Sequence, residues 1–154
     1  MSGERPRAAL IEYTFPDIVN WGYEVTSDIT CDYNCIAWAA GDDTRQWWPS
    51  PDEGTAYWPL EAPRTLSVDA FADAYATLGY VACEEDDYEV GFEKIALFAD
   101  GSGEPTHAAR QISETDWTSK VGRLQDIRHP LRALEGEAYG QVVRIMKRSL
   151  RGSR

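Results

Sequence analysis

The stretch "DYNCIAWAAG", Asp32 to Gly41, sets a cysteine just inside the start of a short apolar helix. Asp32 or Asn34 suits the N-cap and Gly41 the C-terminal stop, so Cys35 falls in the first turn. The thiolate, not the thiol, is the nucleophile, and a free cysteine with a pKa near ~8.5 is mostly protonated at neutral pH. Unpaired N–H groups and a partial positive charge at a helix N-terminus lower that pKa, and an adjacent imidazole does more. Cys35 therefore has the placement of a nucleophile. The competing reading is a buried thiol that only fills space, a common role for free cysteine.

The chain has two histidines. His107 falls in a strand-like run that alternates Thr106, Ala108, Arg110 and Ile112 on one face with His107, Ala109 and Gln111 on the other. If the Cys35 helix packs on the His107 face, the imidazole reaches the sulfur past the small Ala109. A half-buried strand histidine bonded to a backbone carbonyl is the plainer alternative. His129, in "DIRHP", precedes a proline that pushes the chain out of the helical region, which suggests a surface or capping role.

The segments "DYNCIAWAAGDDTRQWWP", "YWP", "FEKIALFADGSGEPTHAARQ" and "WTSKVG" together resemble a bacterial family associated with the papain-like cysteine peptidase and amidase fold, over roughly Asp32 to Arg148. That resemblance implies Cys35 as nucleophile and His107 as general base, with a polar orienting residue on the next strand. Such enzymes orient the imidazole with Asn, Asp, His or Gln, whereas the next strand here offers Trp117, Thr118, Ser119 and Lys120. Register decides among them, because a slip of one residue exchanges the faces. Pairing Ile112 with Trp117 puts Thr118 and Lys120 beside His107, and pairing Ile112 with Asp116 puts Ser119 there. Ser119 is favoured, with Asp116 and Gln111 in reserve. The Cys35 amide is the natural first oxyanion donor, with a second from Tyr33 or Asn34. Trp38, Trp47, Trp48 and Gln111 complete the candidates for contact with substrate.

The function expected on these grounds is a Cys–His thiol hydrolase or acyl transferase acting on an amide or related acyl bond, as a peptidase, amidase or deamidase. A peptide or small amide would be its substrate, and no cofactor is called for. The rival is a non-catalytic binding module on the same fold that meets a protein partner through its aromatic loop. Trp47, Trp48 and Trp58 suit either a substrate groove or core anchors for that loop. Zinc at Cys31, Cys35, Cys83 and His107 is disfavoured, since C-x3-C is one residue longer than the usual knuckle and no second pair follows. Cys31 and Cys35 could instead form a regulatory disulfide.

These residues need a scaffold, and 154 residues with 43% hydrophobic content can supply one as a single α+β domain. An irregular arm is expected over residues 1–30, a papain-like core over 31–148 and a basic tail over 149–154. Ser67 should cap a helix whose apolar face is Val68, Phe71, Tyr75 and Leu78, ended by Gly79. "YVAC" reads as a short strand and "EEDDYE" as a solvated acidic turn. "KIALFA", "THAARQI" and "WTSKV" read as an antiparallel meander, with "DGSGEP" as its first hairpin. Arg123 to Glu135 should be partly helical, and "YGQVVRIMKR" a closing strand. Helices first and antiparallel strands later argue for a helix packed on a small twisted sheet. A net charge of −11 disfavours nucleic acid. No run suits a membrane span or the apolar core of a signal peptide, so a cytoplasmic location is expected.

Overall fold

The computed structural model describes residues 8–51 and 56–150. Pro6 of the expected arm, residues 52–55 of the aromatic loop and residues 151–154 of the basic tail lie outside the described residues. The fold is mixed α+β, built on one seven-stranded sheet whose pairings are all antiparallel. Its strands are β1 (Glu24–Val25), β2 (Val81–Cys83), β3 (Phe92–Ala99), β4 (Pro105–Gln111), β5 (Trp117–Lys120), β6 (Asp126–His129) and β7 (Gln141–Ser149), in the order β1-β6-β5-β4-β3-β7-β2.

The expected meander is present as β3, β4 and β5, and β7 returns to pair with β3 on its other side. From Ile95 to Ala99 strand β3 is a continuous apolar run because the sheet is covered on both faces. On the first face Ile95, Leu97, Ala108 and Met146 pack under α3 (Cys35–Ala39) and α4 (Val68–Ala76). On the second face Ala96, Phe98, Ala109, Trp117 and Ile127 pack under α1 (Ala9–Thr14), α2 (Ile18–Trp21) and the 3-10 turn Leu131–Leu134. The expected capped helix is α4: the Ser67 hydroxyl accepts from the Ala70 amide, and Phe71 and Tyr75 are fully buried.

Two expectations about elements are corrected. The described part of the N-terminal arm is not irregular, since α1, α2 and β1 lie within it, and Ile11, Phe15 and Ile18 dock into the second face. Helices of six and four residues are too short for hydrophobic periodicity to reveal. Within Arg123–Glu135, residues Asp126–His129 form strand β6, and only the 3-10 turn after Pro130 is helical. Strand β5 would otherwise present an unpaired edge, and β6 covers it.

No helix among the described residues is long and apolar enough to cross a membrane.

Candidate active site

Cys35 is the first residue of α3, and Asn34 fastens that helix end in place. The Asn34 Oδ1 accepts from the amides of Ala37 at 3.0 Å and Trp47 at 3.1 Å, while Nδ2 donates to the Trp47 carbonyl at 2.7 Å. Its side chain is thereby engaged in holding the helix end, with one of the two Nδ2 hydrogens committed to Trp47. Asn34→Ala is expected to cost about 2 kcal/mol, because it removes a cap and leaves two Trp47 backbone groups without partners. Urea unfolding at pH 7 would measure it, and a loss under about 0.5 kcal/mol would contradict this account.

Helix α3 packs on the sheet face that carries Ala108, Arg110, Thr118 and Lys120, and not on the His107 face, so the condition for the imidazole to reach the sulfur past Ala109 is not met. Ile36, Ala37 and Cys35 join the cluster of Leu97 and Ala108, Trp38 Nε1 donates to Thr118 Oγ1 at 3.0 Å, and Tyr33 lies 5.6 Å from Lys120 Nζ. His107 projects to the other side, edge-on to Phe98 and stacked on Tyr139 at 4.1 Å and 8°. Its two sheet faces leave the sequence no way to signal which one a five-residue helix will cover.

Cys35 and His107 therefore lie on opposite faces of the sheet. The β4–β5 register stops at Arg110↔Thr118, so Ala108, the next residue whose amide turns toward β5, has no ladder partner there. The Ala108 amide is among the groups that lower the Cys35 thiol. It belongs to the peptide that joins His107 to Ala108, and the Ala108 side chain lies in the cluster under α3. Burial pushes the Cys35 thiol up to about 11, outweighing the amides of Ala108, Cys35 and Ile36 and the charge of Lys120, which pull it down.

The register matches the Ile112–Asp116 alternative: Gln111 pairs with Trp117, and the Ile112 amide donates to the Asp116 carbonyl. Ser119 thus shares the His107 face, and its Oγ lies 2.9 Å from His107 Nε2. The same Oγ lies 2.8 Å from His129 Nε2, and His129 Nδ1 lies 2.7 Å from the Pro130 carbonyl. His107, Ser119 and His129 are all buried, and His107 Nδ1 has no hydrogen-bond partner. Burial holds both imidazoles neutral, His129 at about 4 and His107 well below the usual histidine range, the latter helped by the nearby His129.

His129 is therefore not at the surface, contrary to the expectation drawn from Pro130. The pre-proline residue is pushed toward extended backbone, which is what continuing β6 requires. Ile127 and His129, two residues apart, carried the strand period that could have exposed this.

The remaining candidates hold the scaffold together. Tyr33 donates to Asp126 Oδ2 at 2.6 Å and stacks on Trp38, and burial with the Asp126 carboxylate beside it lifts the phenol to about 12. Gln111 Nε2 donates to the Asp86 carbonyl, Asp116 faces Arg128, and its charge acts on His129 rather than His107. Trp47 and Trp58 are core, and Trp48 packs edge-on against Phe71. Lys120, weighed from sequence only as a neighbour of His107, is fully buried on the other face with its ammonium on the carbonyls of Gly122 and Leu124, and sequence reasoning missed Tyr139 over His107. All three cysteines are free thiols, and no cluster able to hold a metal ion occurs among the described residues.

No curated protein and no solved structure matches the chain. Residues 24–147 match a family model described as a domain of unknown function, which carries no link to papain-like peptidases. With that match spanning most of its length, the chain belongs to the DUF7689 family.

Proposed function

We propose that the protein is a thiol-dependent hydrolase or acyl transferase with a papain-like arrangement, in which Cys35 attacks an amide or related acyl carbon and His107 is its base. The observation that carries this reading is the buried His107 Nδ1 without a partner, on a ring whose Nε2 is held by Ser119. A buried nitrogen without a hydrogen bond is costly and calls for an explanation, and a proton acceptor held open for a thiol provides one.

In the reaction, Nδ1 takes the Cys35 proton as the sulfur bonds to the acyl carbon, and the leaving amine then takes that proton from the imidazolium. Water or an amine resolves the acyl-enzyme by the reverse use of the same base. The Cys35 amide lies at the start of α3, where a developing oxyanion would be met. Because thiol and imidazole lie on opposite faces of the sheet, the reading requires α3 and β4 to rearrange so that the two meet when substrate binds. A peptide or small amide is the substrate class.

p-Nitrophenyl acetate tests this directly, with the acetylated thiol located by mass spectrometry. Cys35 is expected to acylate faster than the exposed Cys31, and His107→Ala to slow it about a hundredfold. Acylation confined to Cys31 and Cys83 would reject the reading.

The second reading is a non-catalytic binding module that meets a protein partner through its aromatic loop. It is favoured by the thiol being pushed up to about 11 and by the separation of Cys35 and His107 onto different sheet faces. Under it Cys35→Ser lowers stability by about 1 kcal/mol through lost packing, and no thiol in the parent outpaces a model thiol.

A further inference from the structure

The hydroxyl of Ser119 lies between two imidazole nitrogens, and its single proton cannot serve both. Which way it points follows from the far end of the chain of contacts. The Pro130 carbonyl only accepts, so His129 Nδ1 at 2.7 Å must carry the proton of that ring. A neutral His129 then presents a bare Nε2, which accepts the Ser119 hydroxyl proton at 2.8 Å. With that proton committed, Ser119 Oγ can only accept from His107, so His107 Nε2 is the protonated nitrogen at 2.9 Å. The lone pair of His107 is thereby left on Nδ1, the atom with no partner.

We infer that His129 is a positioning residue that sets the tautomer of His107 through Ser119, and that the Pro130 carbonyl fixes the direction of the whole relay. His129 touches neither thiol nor substrate. Its function is to keep the basic nitrogen of His107 at Nδ1, and without it the Ser119 hydroxyl is free to turn and donate to His107 Nε2, which favours the Nδ1–H tautomer, reached by proton exchange with solvent. The fold serves this arrangement: β4, β5 and β6 are adjacent strands, and their registers place His107, Ser119 and His129 on one face. His107 and His129 are both buried, and the Tyr139 ring stacked at 4.1 Å covers one face of His107.

The inference rests on the Cys35–His107 reading for its purpose, but its test does not. Proton–nitrogen correlation spectra of the full chain labelled at the histidine ring nitrogens distinguish the tautomers in the wild-type protein at pH 7. His107 is expected as the Nε2–H form and His129 as the Nδ1–H form. In His129→Phe the His107 signals should move to the Nδ1–H form or a mixture, and Cys35 acylation should fall at least about tenfold. Ser119→Ala provides a second break in the relay and should give the same change in tautomer. An Nδ1–H His107 in the wild-type chain, or tautomers unchanged in a folded relay variant, overturns the inference. Loss of tautomer control with Cys35 inert even in the wild type would keep the relay and reject the thiol chemistry.

Discussion

Between pH 6.5 and 5 the free energy of unfolding is expected to fall by up to about 2.7 kcal/mol per pH unit, the slope of two protons taken up on unfolding. The protons belong to His107 and His129, both buried neutral. In the unfolded chain each has a pKa near ~6.5, while burial holds folded His129 at about 4 and His107 well below the usual value. The unfolded state therefore binds more protons in this window. The stability that neutral histidines permit is fully present above pH 6.5 and is lost as pH falls toward the folded values. For His129 alone the full loss is about 3 kcal/mol. Asp126 works the other way, because burial raises its carboxyl, and it offsets at most one proton. Urea unfolding at intervals across pH 5 to 7 measures the slope, and His129→Gln should roughly halve it. A flat profile would mean that the two rings are hydrated or already charged in the fold.

The same two histidines show what the sequence discloses and what it withholds. His107 was legible because "THAARQ" alternates cleanly, and the two candidate registers of the next strand each named a definite neighbour; the structure has the one that brings Ser119 to it. Helix α4 was legible because its cap and 3,4 spacing agree. The face chosen by α3 was not legible. Ala108 and Ala109 are equally small, both sheet faces are covered, and α3 buries Ile36, Ala37 and Ala39 around much of its circumference. Nothing local then distinguishes docking beside Ala108 from docking beside His107. His129 was misread because Pro130 was taken as the end of order, when it only excludes helix and leaves an extended strand end available. Tyr139 could not be placed at all from sequence, since it reaches His107 from a loop thirty-two positions away in the chain, through a contact set by tertiary packing.

That loop carries the other large effect. Gly140 has φ +79°, exchanges backbone hydrogen bonds with Gly136, and sits so close to the end of β3 that a Cβ added there would lie 2.0 Å from the Ala99 carbonyl oxygen. The nearest atoms are all backbone, at a point where β3 shifts register against β4, so no side chain can swing aside to relieve the overlap. Gly140→Ala must move the main chain. It bears the left-handed penalty of about 1–2 kcal/mol and an overpacking cost of about 1–3 kcal/mol, for a total of roughly 2–5 kcal/mol. Thermal unfolding should show a fall of roughly 10 °C in Tm. The consequence for the site is specific, because the displaced residue is bonded to Tyr139, whose carbonyl accepts from Thr106 Oγ1 and whose ring covers His107. Pushing Gly140 off β3 lifts that ring and admits water to the imidazole. His107 should then titrate closer to an ordinary histidine, while His129, on the far side of Ser119, moves less. Histidine proton shifts followed against pH in the folded variant would show the difference. Equal and unchanged titration of both rings, with Tm within a degree or two of the parent, would mean that the Ala99 contact does not set the position of Tyr139.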